Sequence, residues 1–118
     1  MRIGVPKEIK NHEYRVGLVP AGVRELVSAG HEVLIESNAG TGIGVDDAQY
    51  REAGASIAAK APEVFERADM IVKVKEPQSA ECQMLRPGQV LFTYLHLAAD
   101  PAQAQGLMKS GATAIAYE

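Results

Sequence analysis

The run Val33-Leu34-Ile35 contains no polar residue. A strand with one wet face alternates apolar and polar side chains, so an unbroken apolar run predicts a strand covered on both sides, as in parallel sheets flanked by helices. Upstream, Pro20 opens and Gly30 closes a helix whose apolar face is Val23, Leu26 and Val27, and Ile3 to Val5 reads as an earlier strand. Downstream the same rhythm continues. Asp46 or Asp47 caps a helix that ends at Gly54, a weak strand covers Ser56 to Ala58, and Pro62 opens a short helix.

A fourth strand is predicted over Met70 to Lys75, a brief helical turn over Gln78 to Leu85, and a fifth strand over Val90 to Leu95. Asp100-Pro101 then starts a helix with Ala104, Leu107 and Met108 on its apolar face; Gly111 ends it, and Thr113 to Tyr117 forms a sixth strand. Strand and helix in strict alternation predict an α/β fold. The expected architecture is a doubly wound, mostly parallel sheet with helices on both faces, Rossmann-like or flavodoxin-like, with right-handed crossovers. The last predicted strand has nothing after it, so the chain is expected to be part of a longer one.

At 118 residues, 47% apolar and 23% charged, the chain fits one soluble globular domain. A net charge of −3 and the lack of any Lys/Arg run argue against nucleic-acid binding. The longest stretch free of charge and turn residues, Val90 to Ala99, falls far short of the ~18 apolar residues that span a bilayer. The amino terminus enters a strand pattern at once, so no signal peptide is expected. The single cysteine, Cys82, has no internal partner for a disulfide; it reads as a buried thiol and suits a reducing cytoplasm.

Function is concentrated in one irregularity. The connection Pro6 to Val19 is much longer than the ~2–6 residues usual between strand and helix. It holds Lys7, Glu8, Lys10, His12, Glu13 and Arg15. Arg15, Lys75 and His96 each follow a different predicted strand, and strand ends in such a sheet share one ligand-binding edge. Arg15 reads either as a solvated loop residue paired with Glu13 or Glu8, or as a clamp on a small carboxylate oriented by one of them. Lys75 can hold a carboxylate or a carbonyl oxygen, whereas Lys73, inside the strand, is expected to snorkel past an apolar face to water. His96 is either a hydrogen-bonded structural residue or an acid/base able to move a proton near neutral pH.

Gly40-Thr41-Gly42-Ile43-Gly44 lacks the dinucleotide-binding spacing, because the third glycine of G-x-G-x-x-G falls on Val45. A turn leading to a capped helix is the better reading. His and Cys residues show no metal-ligand spacing, and no metal site is expected.

Gly4-Val5-Pro6-Lys7-Glu8-Ile9-Lys10-Asn11-His12-Glu13-Tyr14-Arg15-Val16, with Pro20-Ala21-Gly22, resembles the signature shared by alanine dehydrogenases and nicotinamide nucleotide transhydrogenases. Lys73-Val74-Lys75-Glu76-Pro77 and Phe92-Thr93-Tyr94-Leu95-His96-Leu97-Ala98-Ala99 resemble alanine dehydrogenases in particular, and the likeness runs to Ala114-Ile115-Ala116-Tyr117-Glu118. Transhydrogenase relatives typically lack the lysine and the histidine. Val19 departs from the threonine many members carry before the first helix, which predicts a weaker cap.

The resemblance implies reversible, NAD-dependent oxidative deamination of L-alanine to pyruvate and ammonium. It implies that Arg15 and Lys75 bind the substrate's carboxylate and carbonyl region, that His96 is the acid/base, and that Tyr94 lines the pocket. It further implies that residues 1–118 are the N-terminal part of the substrate domain of a two-domain enzyme, with the NAD-binding domain and a second catalytic acid outside this chain. A homo-oligomer, commonly a hexamer, is expected of the intact protein. Two other readings are a transhydrogenase component and a non-catalytic α/β module that senses a small carboxylate.

Overall fold

The computed structural model describes residues 1–97 and 100–117; Ala98, Ala99 and Glu118, which end two of the motif blocks above, lie outside the described residues. Six parallel strands form one sheet in the order β3-β2-β1-β4-β5-β6. They are β1 (Arg2–Val5), β2 (Glu32–Glu36), β3 (Ser56–Ala58), β4 (Met70–Val72), β5 (Val90–Thr93) and β6 (Thr113–Ala116). The helices between them are α1 (Pro20–Ser28), α2 (Asp47–Glu52), α3 (Ala61–Arg67), α4 (Ser79–Met84) and α5 (Pro101–Ser110). The α/β expectation holds, and the strand order is the Rossmann one rather than the flavodoxin one.

Alternation of side chains explains the opening apolar run. Val33 and Ile35 join a core with Ile3, Val5, Val23 and Tyr50. Leu34, between them, turns to the other face and joins Val64, Phe65, Ile71 and Leu91. Both faces are dry, so each position along β2 is apolar.

The chain runs outward from β1 to β3, then crosses back so that β4 pairs with the free side of β1, Ile3 opposite Met70 and Gly4 opposite Ile71. This reversal is the topological switch point, where the carboxyl ends of β1 and β4 diverge into a crevice. The long Pro6–Val19 connection leaves β1 at that place and lies close over it. A Cβ on Gly17 would come within 2.6 Å of the Val72 carbonyl oxygen, and one on Gly42 within 2.2 Å of the Tyr14 carbonyl oxygen. Glycine at these two positions lets the connection pack against both β4 and the Gly40–Gly44 turn. Its far end is tied down by Tyr50, whose buried hydroxyl donates to the Leu18 carbonyl at 2.7 Å.

Helix ends follow their caps. Asp46 caps α2 in a capping box with Gln49, and Asp100 accepts from the Gln103 amide at the start of α5. Val19 at the α1 cap has no side-chain hydrogen bond, as its apolar side chain requires.

Four expectations need correction. β4 ends at Val72 rather than Lys75, because the amides of Val74 and Lys75 are taken by a carboxylate instead of a neighbouring strand. β5 ends at Thr93 rather than Leu95, and β6 at Ala116 rather than Tyr117. On α5, Met108 is 82% exposed, and the buried stripe is Gln103, Leu107 and Ser110 at helical spacing. Cys82 is buried as expected, and burial pushes its thiol above the ordinary range. Among the described residues no helix is long and apolar enough to cross a membrane.

Tyr50→Phe removes the hydroxyl but keeps the packing, so urea unfolding should register a loss of about 1 kcal/mol, the usual worth of one buried hydrogen bond. An unchanged midpoint would show that the Leu18 tie contributes nothing.

Candidate functional site

At the switch point the fold buries an ammonium between two carboxylates. Lys73 Nζ lies 3.1 Å from Glu8 Oε1 and 3.1 Å from Glu81 Oε2, with all three side chains only 1–2% exposed. Glu8 comes from the long connection, Lys73 from just past β4, and Glu81 from α4. The expectation that Lys73 reaches water is therefore wrong. A buried ammonium is tolerated here because two carboxylates compensate it at hydrogen-bond distance.

Glu8 does more than neutralise. Its Oε2 accepts the Val74 amide and its Oε1 the Lys75 amide, each at 3.1 Å. Glu81 accepts the Gln78 amide at 2.9 Å, and burial holds its carboxyl above the ordinary value although Lys73 pulls the other way. Three segments are thus pinned together directly beneath the crevice.

Arg15 stands above this base, its side chain 60% exposed. Glu13 holds it two-pronged, Nε to Oε2 at 3.0 Å and Nη2 to Oε1 at 2.8 Å, and also accepts the Arg15 amide at 2.8 Å. The Arg15 hydrogen bonds are the main reason that Glu13 falls from 4.5 to about 2, with the Lys75 charge adding to the effect. Nη1 takes no part in the pair. Arg15 is raised above its ordinary value by Glu13, with smaller contributions from Tyr94 and Tyr117. Both readings of Arg15 thus keep their premise: it is paired with Glu13, and it is solvent-facing and oriented.

An aromatic cluster walls the other side. Tyr94 packs on Tyr117 with ring centres 4.4 Å apart and stacks on His96 at 6.1 Å; Phe92 meets Tyr117 edge-on at 4.6 Å. The Tyr117 hydroxyl donates to the Lys73 carbonyl at 2.5 Å, and burial raises its pKa. The exposed His96 has a φ of +49°, a left-handed backbone uncommon for a side-chain-bearing residue. Burial is the largest influence on Glu76 and works against its ionisation, but a hydrogen bond from Lys10, a backbone hydrogen bond and the charges of Lys10 and His96 together leave its pKa lowered.

The four predicted residues are linked in this way. Lys75 acts on Glu13, Arg15 is held by Glu13 and feels Tyr94, and Tyr94 carries His96 on its ring. Lys75, Tyr94 and His96 lie just past β4 and β5, whereas Arg15 lies well along the connection after β1, and the cavity beside Arg15 is not lined by the other three. A cavity of about 280 Å³ borders Arg15 and is lined in part by Lys7, Glu8, Glu13, Asn38 and Gly42. The larger hollow of about 690 Å³ lies between α4 and α5 and touches none of the four. Sequence reasoning passed over Tyr117, although its place at the end of the sixth predicted strand is the same signal that singled out Lys75 and His96.

The glycine-rich turn does not fit a dinucleotide. The open side of Gly42 is filled by the Tyr14 carbonyl, so a pyrophosphate cannot approach the backbone there. Among the described residues no group of three His, Cys, Asp or Glu could hold a metal ion.

The family model for the alanine dehydrogenase/PNT N-terminal domain matches residues 4–118. The chain belongs to that family. It is 55% identical over its whole length to the alanine dehydrogenase of Halomonas elongata and 56% identical to that of Bacillus subtilis, covering 32% and 31% of those proteins. The chain therefore spans about a third of the length of the curated relatives it matches. Among solved structures, an L-alanine dehydrogenase superimposes with a TM-score of 0.96 at 55% identity, over all of this chain and 32% of that one. A transhydrogenase from Sinorhizobium meliloti superimposes with a TM-score of 0.91 at 28% identity, over 98% of this chain and 34% of that one. The similar alanine dehydrogenases are oxidoreductases by name, and both kinds of relative imply a nicotinamide nucleotide cofactor.

Lys73→Met would leave two buried carboxylates facing an apolar side chain, and urea denaturation should show a loss of about 3–5 kcal/mol. A loss under 1 kcal/mol would mean that the carboxylates find other partners. Glu13 makes a separate prediction. Its folded-state pKa is depressed, so its contribution to stability is complete above about pH 4.5 and is lost as the pH falls toward about 2. Unfolding curves of Glu13→Gln should therefore have a shallower acid limb than wild type between those values, with parallel limbs counting against the Arg15 pairing.

Proposed function

We propose that residues 1–118 are the N-terminal part of the substrate domain of an NAD-dependent alanine dehydrogenase, which interconverts L-alanine with pyruvate and ammonium. The observation that supports this reading best is that Arg15, Lys75, Tyr94 and His96 follow three neighbouring parallel strands, β1, β4 and β5, in a chain of this family. Lys75 and His96, the two positions that transhydrogenases typically lack, favour the alanine reaction over nucleotide exchange.

In this reading Arg15 and Lys75 hold the carboxylate and draw electron density from the adjoining carbonyl or amine carbon. Arg15 is pre-oriented, since Glu13 fixes its plane before substrate arrives, so less ordering remains to be done on binding. In the oxidative direction His96 takes a proton from the substrate ammonium before hydride leaves, then one from the water that adds to the iminium carbon, and ammonia leaves the resulting carbinolamine as the carbonyl forms; the reverse direction retraces these transfers, with Tyr94 stacked on the imidazole. NAD serves as hydride carrier and is assigned to the part of the full-length protein that the relatives have and this chain does not; the residues described here act on the substrate alone. The full-length protein is assigned a homo-oligomeric state, commonly a hexamer.

Full-length protein assayed for alanine-dependent NAD reduction should be active, and the isolated 118-residue chain should not be. His96→Ala should lower kcat by roughly 10²- to 10⁴-fold. Arg15→Ala should raise KM for alanine and pyruvate roughly 10- to 100-fold, the loss expected for charged hydrogen bonds. Full activity in His96→Ala would remove the acid/base assignment, and loss of carboxylate binding alone in Arg15→Ala would then point to a sensing module.

A further inference from the structure

Arg15 and Lys75 approach the crevice from two separate segments, and nothing in the sheet ladder fixes their spacing. β4 has already ended when the chain reaches Lys73. Beyond that point the carbonyls of Val74 and Lys75 are held from the β5 side by the Tyr94 amide and the Thr93 hydroxyl, and both amides are held by Glu8, which ties this segment to the Arg15 connection. Glu8 belongs to the same connection as Glu13 and Arg15. Its own position is set from beneath, because Lys73 pulls on its Oε1 while a second carboxylate, Glu81, holds Lys73 from the other side.

We propose that Glu8 is a positioning residue for substrate binding: its carboxylate sets the separation between the Arg15 connection and the Lys75 strand end, and so the width of the carboxylate clamp. This rests on the reading of Arg15 and Lys75 as substrate ligands. The Glu8 carboxylate, 1% exposed, is engaged by Lys73 and the two amides and acts through them rather than on substrate.

The two buried carboxylates of the triad provide the discrimination. Both contact Lys73, and both are buried to the same degree. Only Glu8 contacts the amide of Lys75. A purely structural role for the triad would make substitutions at Glu8 and Glu81 equivalent in their effects on function, each following its cost in stability. A positioning role separates them.

The test uses the full-length enzyme, with melting temperature and steady-state kinetics measured for Glu8→Gln and Glu81→Gln well below either melting point. Glutamine keeps the volume but replaces one acceptor oxygen with an NH₂ donor that cannot accept an amide. Glu8→Gln is expected to raise KM for pyruvate about tenfold, the scale of a small misplacement of binding groups, with kcat and its pH profile changed far less. Glu81→Gln is expected to lower the melting temperature and leave KM within twofold. Equal rises in KM for both variants, or an unchanged KM in a folded Glu8→Gln, would overturn the proposal. If either variant fails to fold, Glu8→Asp, which keeps the charge opposite Lys73 but draws the carboxylate back from the Lys75 amide, supplies the same comparison: KM for pyruvate should rise severalfold, and an unchanged KM would overturn the proposal. Arg15→Ala and Lys75→Ala in parallel separate the two levels. If neither moves KM, the substrate-site reading fails; if both do and Glu8→Gln does not, only the positioning role fails.

Discussion

A lysine ammonium shut away from water between two glutamates is the constraint on which this site depends. Isolated, any of these three charges would be costly to bury, by several kcal/mol. Together they satisfy one another, and the remaining carboxylate oxygens accept backbone amides of Val74, Lys75 and Gln78. The effect reaches beyond charge balance. The long connection after β1, the strand end after β4 and the start of α4 are made one rigid base, from which the exposed Arg15 and the half-buried Lys75 project.

That base lies where the sheet topology requires a crevice. The strand order turns back at β1, so the connections leaving β1 and β4 must go to opposite sides. A residue projecting from either can reach the space between them. The aromatic cluster of Phe92, Tyr94 and Tyr117 closes the adjoining side and carries the exposed imidazole of His96.

The sequence made the framework legible wherever the signal was local. Val33-Leu34-Ile35 announced a two-sided strand, Ser56 to Ala58 was a strand to the residue, and Asp46 and Asp100 capped the helices they preceded. What could not be read was long-range. Lys73 looked like a lysine bound for water because its partner Glu8 is 65 positions away. The same interaction ended β4 early, since a side-chain acceptor displaced the ladder that the β-branched pattern had promised. Met108 looked internal by composition, but the stripe through Gln103, Leu107 and Ser110 faces the core instead. Of the site itself, Arg15, Lys75 and His96 followed from the strand-end rule and Tyr94 from the family resemblance; Tyr117 lay at a strand end that the same rule reaches, while Glu8 and Glu81 act through contacts that no spacing encodes.

The central claim is that guanidinium, ammonium and imidazole meet around one small keto acid. A crystal structure of the full-length protein with pyruvate tests it most directly. The account predicts pyruvate at the carboxyl ends of β1, β4 and β5, its carboxylate within hydrogen-bond distance of Arg15 and Lys75 and its carbonyl oxygen facing His96. Pyruvate bound elsewhere, or seated there with the Arg15 and His96 side chains turned away from it, would contradict it.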